Sequence, residues 1–465
     1  MKFGLLFFAI AFIISATSAQ HICNIDIKIS GYQKDSIVLG YFDEGKMNLM
    51  DTIVNSADGK FKIQRKTNLP IGMYFIQMIP DNRYFEFIAP EEQVFSITTD
   101  MTKLFDALSV TGSIENELFF NILRIENFHK KEAEELNTKF RMLNKRDPIE
   151  AKKTLRQLNM LNNNVIQEQS YAVKDHPNSI VYKYINVSKV PETPEYDLED
   201  TIAVKNAEYY VKQHFFDNIN FADQSLQRSP YPYNQIKSFL RDNATQADSL
   251  NKVVDIVMSK LGSNPNLLKH YGPFIFTILN DNKTSVLEAS YVSFVLKYIG
   301  NPNCVWLTTD QKTTLIEDAK RRELLLIGSK APDFKLKDAQ GKIINLYQSD
   351  SLLTILFFSD PTEASSRTLY EGLVGFYENY QFKSVNLLNI CAFKEDDCTK
   401  CYKYAAANLI KFTVLADCDA VEKVKKAFNI SRTPALIVLD KDKKILAKDI
   451  NIPQLFRIVH DYLKQ

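Results

Sequence analysis

The period of the hydrophobic pattern changes twice along this chain, and these changes limit the folds that it can adopt. Up to residue 112, segments such as NIDIKISG and KFKIQRK alternate apolar and polar residues, as half-buried strands do. Between residues 113 and 326, apolar residues recur at the three- and four-residue spacing of amphipathic helices. From residue 327 onward, strand-like and helix-like segments alternate, which is typical of an α/β layer. We therefore predict a multidomain α+β protein with a β-sandwich-like domain (20–112), an all-α domain (113–326) and an α/β domain (327–465).

The N-terminus has the features of a secretory signal peptide. Lys2 precedes an apolar run, Phe3 to Ile14, and small residues occupy the cleavage positions at Thr17 and Ala19. This run is well short of the ~20 residues that a membrane-spanning helix needs. We expect residues 1–19 to be removed and the mature chain, without a transmembrane segment, to reach the periplasm or cell envelope of a Gram-negative bacterium.

The charge composition argues against a nucleic-acid-binding protein. The chain has 57 Lys and Arg against 56 Asp and Glu, with a net charge of +1 and no long run of like charges. Glycine is scarce, at 14 residues, and no glycine-rich phosphate-binding motif occurs. We therefore expect no cofactor, and a partner that is a protein or a small ligand of the cell envelope.

Three segments in the last part of the chain resemble one protein family, and they occur in the family's order. They are IGSKAPDFKLKDAQGKIINL, ILFFSDP and SRTPALIVLD, the last followed by DKDKKIL. From Ile327 to the end, the sequence resembles the thioredoxin-like domains of envelope thiol–disulfide oxidoreductases, the TlpA/ResA-like and AhpC/TSA-related group. The resemblance implies a C-terminal thioredoxin fold.

The resemblance also implies where the functional positions lie. Pro434, after Thr433, corresponds to the cis-proline that faces the family's active site. The family's Cys-x-x-Cys falls on the tetrapeptide Glu363-Ala364-Ser365-Ser366. A carboxylate cannot exchange disulfides, and a serine hydroxyl is no substitute for a thiolate. The usual dithiol chemistry is therefore expected to be absent at Glu363 and Ser366.

The residues before this tetrapeptide still predict a helix start. In the sequence DPTE, Asp360 is the predicted N-cap, Pro361 suits the first helical position, and Glu363 stands at the third. Asp360 and Pro361 are therefore included in the predicted binding surface, together with Thr433 and Pro434.

The cysteines leave several interpretations open. Four of the six fall close together near the C-terminus: Cys391, Cys398, Cys401 and Cys418. Cys398 and Cys401 form a Cys-x-x-Cys at a predicted helix start, where a relocated redox dithiol would lie at the same sheet edge as Glu363. The alternatives are structural disulfides, such as Cys398–Cys401 or Cys391–Cys418, a four-cysteine zinc site, or free buried thiols.

These observations support three functional hypotheses. We favour a non-catalytic thioredoxin-like protein that binds a partner on the surface around Pro434 and residues 360–367. The alternative is a thiol–disulfide oxidoreductase that works through Cys398 and Cys401. A third possibility is a structural component whose β and helical domains bind other envelope proteins.

Overall fold

The structure is a computed structural model of the protein. It describes residues 23–57, 59–79, 82–144, 146–189, 191, 193, 195–196, 199–281, 284–381, 384–391 and 399–464. The predicted signal peptide lies outside these residues. The chain divides into two compact units, one of Met1–Phe239 with Ile256–Gly262 and one of Leu240–Asp255 with Ser263–Gln465.

The first unit begins with a run of strands. In chain order these are β1 Cys23–Ser30, β2 Ser36–Asp43, β3 Lys46–Ala57, β4 Lys60–Arg65, β5 Gly72–Met78, β6 Arg83–Ala89, β7 Val94–Asp100 and β8 Ser109–Thr111. Over the described residues they form one sheet in the order β6-β5-β2-β3-β4-β1-β7-β8. Strand β3 is long enough to pair with β2 along most of its length and with β4 only at its end.

This sheet folds over on itself. Strands β6 and β7 are far apart in the sheet order, yet the rings of Phe87 and Phe95 lie 6.4 Å apart, centroid to centroid. The alternating side chains of β1 show the reason, because Ile25, Ile27 and Ile29 are buried while the residues between them are partly or fully exposed. The enclosed apolar face is what the two-residue period predicts for a sandwich-like domain.

Helices follow the strands. They are α1 Ile114–Leu143, α2 Pro148–Ala172, α3 Ile180–Val187, α4 Thr201–His214, α5 Gln224–Gln227, α6 Tyr231–Asp242, α7 Ala247–Leu261, α8 Pro265–Leu279, α9 Ser285–Phe294 with a π-helical turn at Val295–Ile299, and α10 Thr309–Glu323.

The two longest helices form an antiparallel hairpin. Asp147 caps α2 by accepting hydrogen bonds from the main-chain N–H groups of Ile149 and Glu150. The helices contact each other along their length, with Gln169 hydrogen-bonded to Glu126 near the open end of the hairpin and Lys139 paired with Glu150 near its turn.

The C-terminal part of the second unit combines a sheet with flanking helices. Its elements are the hairpin β9 Lys335–Lys337 and β10 Ile343–Asn345, then β11 Leu353–Ser359, α11 Ala364–Tyr380, β12 Val385–Cys391, α12 Thr399–Ala407, β13 Thr413–Leu415, α13 Cys418–Ala427, β14 Ala435–Leu439, β15 Ile445–Lys448 and α14 Ile452–Leu463. The sheet order is β13-β12-β11-β14-β15. Strands β11, β12 and β13 run parallel to one another, while β14 and β15 are joined in antiparallel pairs.

The central strand β11 is buried along its whole length, because helices cover both faces of the sheet. On one face Phe358 packs in a cluster with Phe428 beyond α13. On the other face Phe357 packs with Tyr370 of α11, in a cluster that also includes Val459 of α14. This arrangement explains why the sequence of β11 reads as a continuous apolar run.

The predicted fold class is confirmed: a strand-rich N-terminal domain, a helical middle region and a thioredoxin-like C-terminal domain. The predicted domain boundaries, 20–112, 113–326 and 327–465, stay a prediction. Within the described part of the chain, no helix combines the length and the apolar character needed to cross a membrane.

Candidate functional site at the thioredoxin-like sheet edge

The predicted site residues meet at the carboxyl edge of the parallel strands. Strand β11 ends at Ser359, which pairs in register with Cys391 at the end of β12. On the other side of β11, Phe358 pairs with Ala435, the first residue of β14, so that Pro434 lies at the same edge. The turn after Ser359, the end of β12 and the loop before β14 are thereby neighbours.

The loop before β14 is hydrogen-bonded to the first residue of the degenerate tetrapeptide. The Thr433–Pro434 peptide bond is cis. The hydroxyl of Thr433 donates a hydrogen bond to Oε2 of Glu363, with an oxygen–oxygen distance of 2.6 Å. Glu363, Thr433 and Pro434 are all partly exposed. The carboxylate at the first thiol position therefore holds the cis-proline loop against the helix start.

The second thiol position has no access to a substrate in this conformation. Ser366 is fully buried in the first turn of α11. Its Oγ accepts a hydrogen bond from the main-chain N–H of Asp360, at 3.1 Å. The Ser366 hydroxyl therefore stabilises the turn that precedes its own helix.

The predicted helix cap at Asp360 is wrong. Helix α11 begins at Ala364, and the capping position is Glu363, whose side chain makes no capping bond. Oδ1 of buried Asp360 instead accepts hydrogen bonds from the main-chain N–H and the hydroxyl of Thr362, at 2.9 and 2.6 Å. Because these bonds occupy the carboxylate, it does not cap the helix. Residues 360–363 form a turn instead, and the helix starts after it. Pro361 lies in that turn and is buried.

Arg367 stabilises the same turn from the helix side. Its Nη1 donates hydrogen bonds to the carbonyl oxygens of Pro361 and Thr362, at 3.1 and 2.8 Å. Hydrogen bonds from a guanidinium to main-chain oxygens are charge-assisted and comparatively strong. The backbone of residues 360–363 is thus held from both ends.

A buried polar network that the hydrophobic pattern does not predict lies beneath this turn. Oγ of Ser359 lies 2.8 Å from the hydroxyl of Tyr370 and donates to Oδ1 of Asn389 at 2.7 Å. Asn389 in turn donates from Nδ2 to the Tyr370 hydroxyl. Burial raises the pKa of Tyr370 to about 12, so the phenol stays protonated. The signal for this network is a polar residue inside a strand that is otherwise buried and apolar, Asn389 in VNLLNIC.

The cysteine pairing differs from both predicted disulfides. Cys391, the last residue of β12, is bonded to Cys401 in the first turn of α12, with the Cα atoms 6.2 Å apart. A bond between Cys398 and Cys401, or between Cys391 and Cys418, would need one of these same sulfurs. Both bonded cysteines are buried, with 1% exposure each. Cys398 lies outside the described residues.

The disulfide also bears on the zinc interpretation. A four-cysteine site would need Cys391 and Cys401 as free thiolates, and in this structure they are bonded to each other. Over the described residues, no group of three or more His, Cys, Asp or Glu side chains is arranged to hold a metal ion. Cys23 and Cys304 are free, buried thiols, and burial raises the pKa of both.

Comparison with known families agrees with the geometry of this domain. Residues 327–448 match the AhpC/TSA family. This stretch is an AhpC/TSA family domain. Residues 23–119, in the strand-rich part of the chain, match a domain of unknown function, DUF4369.

Several solved structures are similar to parts of the chain. A thioredoxin-like protein from Bacteroides caccae is 18% identical, with a TM-score of 0.46, over 59% of this chain and 98% of its own. The C-terminal domain of a putative thiol-disulfide oxidoreductase from Bacteroides thetaiotaomicron is 23% identical, with a TM-score of 0.28, over 30% of this chain and 96% of its own. A domain of a possible thiol-disulfide isomerase from Cytophaga hutchinsonii is 27% identical, with a TM-score of 0.27, over 30% and 94% of the two chains. No curated protein matches the sequence significantly.

Within the AhpC/TSA domain, the edge of the sheet thus gathers the predicted binding residues Asp360, Pro361, Thr433 and Pro434 around Glu363, the first position of the degenerate tetrapeptide. Ser366 lies just beneath them, and Cys401 is joined to the same edge through Cys391. The arrangement offers a partly exposed carboxylate beside the hydroxyl of the proline loop, while the sulfurs of Cys391 and Cys401 are bonded to each other and buried.

Proposed function

We propose that this is an exported thioredoxin-like protein that binds a partner at the AhpC/TSA domain without catalysing thiol–disulfide exchange there. The hydrogen bond between Glu363 and Thr433 carries the proposal. Thiol–disulfide exchange proceeds by attack of a thiolate on a disulfide sulfur. A carboxylate that is fixed to the cis-proline loop has no equivalent reaction, and the buried Ser366 hydroxyl has no access to a substrate.

The surface around this contact remains suited to binding. Ala364 and Ser365 are exposed, and Thr433 and Pro434 are partly exposed beside them. The turn is held by Arg367 and by the Asp360 side chain, so that a partner would meet a surface that is already ordered. Pre-ordered surfaces bind with a smaller entropy loss. A partner segment lying across the proline loop is the mode that the family resemblance implies.

The first test measures whether the wild-type protein lacks insulin reductase activity and whether restoring the two cysteines creates it. We expect the oxidised wild-type protein, with dithiothreitol as the reductant, to reduce insulin no faster than dithiothreitol alone. The double variant Glu363→Cys/Ser366→Cys should gain reductase activity, because the scaffold and the helix start are retained. The single variant Ser366→Cys is the matched control and should stay inactive. The proposal would be refuted if the wild-type protein reduced insulin faster than dithiothreitol alone and the Cys401→Ser variant did not.

The second test addresses binding. A photocrosslinking amino acid would be placed in the full-length protein at Ala364, in the first turn of α11, and separately at exposed Asn379 near the end of the same helix. Discrete protein adducts are expected in cells at position 364, and Pro434→Ala should reduce them. The same adducts at both positions, or adducts that Pro434→Ala leaves unchanged, would contradict a binding role for this edge.

The alternative function is thiol–disulfide exchange through Cys398 and Cys401. One observation favours it: Cys401 already takes part in a disulfide, in the first turn of a helix. In such a reaction a Cys398 thiolate would attack Cys401 and release the Cys391 thiolate, so that one disulfide replaces another and no electrons are gained or lost. Thiol trapping with mass mapping tests this exchange, because it must show Cys391 free and Cys398 bonded to Cys401; a glutathione series then gives the reduction potential of that bond. A Cys398–Cys401 bond that forms reversibly at roughly −270 to −120 mV would support the alternative.

Export is the remaining part of the proposal, and it rests on the N-terminal sequence. We expect the mature protein to begin at Gln20 and to appear in the periplasmic or envelope fraction. Mass spectrometry of the intact protein from cells checks the cleavage. An uncleaved chain in the cytoplasmic fraction would contradict export.

A further inference from the structure

A cavity of about 570 Å³ lies in the first unit, between strand β6, the segment after β7 and helix α1. Pockets of this size accommodate small organic ligands or a buried side chain. Its lining includes Tyr84 and Glu86 from β6, Leu104 and Phe105 from the segment after β7, and Leu123 and Glu126 from α1. The cavity is far in sequence from the AhpC/TSA domain, and neither the composition nor the motifs predicted it.

Two carboxyl groups face this cavity without a cationic partner. Among the described residues, the side chain of Glu86 makes no hydrogen bond or ion pair, and the side chain of Glu126 accepts one hydrogen bond, from Nε2 of Gln169 at 2.9 Å. Glu86 is partly exposed and Glu126 is exposed, so a molecule in the cavity can reach both. Because both carboxyls line one cavity, the charge of Glu126 disfavours the ionised form of Glu86.

The two cations at the cavity rim have other partners. Nη1 of Arg83 donates a hydrogen bond to the carbonyl oxygen of Met101, at 2.6 Å. Nζ of Lys130 lies 4.0 Å from Oε1 of Glu134, one helical turn further along α1. Burial and the charge of Glu126 raise the pKa of Glu86 to about 7, which fits a carboxyl with no counter-ion. Burial also raises the pKa of Glu126.

The remaining lining is suited to an apolar stem. Leu104 and Leu123 are buried, and the partly exposed ring of Phe105 and the exposed ring of Tyr84 line the cavity with them. We propose that this cavity binds an organic cation, an ammonium or guanidinium group on an apolar stem, with Glu86 and Glu126 as its counter-ions. The cation can belong to a free small molecule or to a Lys or Arg side chain of a partner polypeptide, since the recognised chemistry is the same.

The experiment uses the full-length protein and a matched pair of probes. Benzamidine carries a cationic head on a flat apolar ring, and benzamide has the same shape without the charge. Calorimetric titration at pH 8 should show binding of benzamidine at least tenfold tighter than binding of benzamide. Equal affinities for the two probes, or no benzamidine binding at millimolar concentration, would overturn the proposal.

Variants locate the site. Glu86→Gln and Glu126→Gln should each weaken benzamidine binding at least tenfold, while Glu132→Gln, an exposed position on α1 outside the cavity, should leave it unchanged. If Glu86→Gln fails to fold, as judged by circular dichroism, Glu126→Gln alone decides. Wild-type affinity in the folded variants would overturn the assignment to this cavity.

The pH dependence gives an independent readout. Benzamidine remains a cation throughout, so its affinity should fall as the pH is lowered from 8 to 5 and the carboxyls become protonated. The charged or titratable groups that line the cavity or interact with Glu86 across it are Arg83, Tyr84, Glu126, Lys130, Glu134, Tyr184 and Tyr231. The pKa values of the three tyrosines are raised, so they stay neutral over this range. An affinity that is constant between pH 5 and 8 would contradict the carboxylate pair as the counter-ion.

A last comparison distinguishes the two sources of the cation. Agmatine, a free guanidinium compound, is titrated beside a short extended peptide with one central arginine. Tighter binding of agmatine identifies a small-molecule site, and tighter binding of the peptide identifies a side-chain site; both support the proposal. Binding of neither compound overturns it.

Discussion

The strongest quantitative prediction concerns Glu86 and the stability of the strand-rich domain. The pKa of Glu86 is raised from 4.5 to about 7 by burial and by the charge of Glu126. At ~1.4 kcal/mol per pKa unit, this rise corresponds to roughly 3 kcal/mol. Because the side chain is partly exposed to the cavity, solvent screening reduces this energy. We therefore expect ionised Glu86 to lower the free energy of unfolding by about 1–3 kcal/mol.

The sign follows from proton linkage. A carboxyl whose pKa is higher in the folded than in the unfolded protein favours folding below pH 4.5, and this contribution is lost as the pH rises through 7. Glutamine at position 86 does not ionise. The Glu86→Gln variant should therefore gain free energy of unfolding relative to wild type between pH 5 and 8, by about 1–3 kcal/mol.

Hydrogen exchange measured by mass spectrometry is the suitable assay, because a chain of two units need not unfold in one step. The protection of the amides of β5 and β6 would be compared at pH 5 and pH 8, after correction for intrinsic exchange. Glu132→Gln, at an exposed position, is the control and should show no pH-dependent difference. A difference between Glu86→Gln and wild type that is the same at both pH values, or that falls with pH, would refute the reasoning.

Three further predictions concern packing and cross-links. Tyr370→Phe removes the hydroxyl that joins Ser359 and Asn389, and should lower the free energy of unfolding by about 1–3 kcal/mol in urea denaturation; an unchanged midpoint would contradict the network. Replacing Cys391 and Cys401 together by Ser opens a loop with a sequence separation of 10 residues and should cost about 2–3 kcal/mol, seen as a lower Tm than that of the oxidised wild type; equal Tm values would show that this bond does not form. Gly40→Ala would place a Cβ atom in steric overlap with the buried ring of Phe75 and should cost about 1–3 kcal/mol. Gly375→Ala, whose Cβ atom would meet no other atom within 4 Å, should cost no stability in the same urea denaturation; equal effects of the two changes would contradict this packing.

Much of the C-terminal fold follows from local pattern. Strand β11 reads as a continuous apolar run because both of its faces are covered, and the helix after it is amphipathic because only one of its faces meets the sheet. The cis bond at Pro434 was expected from the resemblance to the thioredoxin-like family, since composition and periodicity give no information about it. These features depend on neighbours in sequence or on a motif that the chain retains.

The cysteine pairing could not be obtained in this way. Cys398 and Cys401 are close in sequence, which favours them as a pair, but a disulfide depends on the distance between Cα atoms and on the direction of the side chains. The end of β12 and the first turn of α12 bring Cys391 to 6.2 Å from Cys401. That proximity results from the packing of α12 against the sheet, which the spacing of the cysteines does not encode.

The helix start shows a similar limit at shorter range. Asp360 has two hydrogen-bonding possibilities, a cap on the next helix or a turn closed on Thr362, and both are common for aspartate before a helix. The sequence is compatible with both, and the structure adopts the turn because the main-chain N–H of Asp360 is bonded to Ser366 and Arg367 holds the carbonyl oxygens that follow.

The carboxyls of Glu86 and Glu126 could not be predicted as a pair for a related reason. The alternation in β6 predicts a solvent-facing residue at 86, and only the tertiary structure shows α1 next to it.

The contact between Glu363 and Thr433 suggests why the degenerate site keeps its shape. It joins the first position of the tetrapeptide to the residue before the cis-proline, two segments that lie 70 residues apart in sequence. Replacing Glu363 by Cys removes this hydrogen bond, which contributes about 1.5–3 kcal/mol when a charged group takes part. A variant with both cysteines restored should therefore combine gained reductase activity with a more mobile proline loop. Gained activity together with a more mobile proline loop would show that the Glu363 carboxylate organises the binding surface. Gained activity with an unchanged loop would show that Glu363 only occupies the position of a lost thiol.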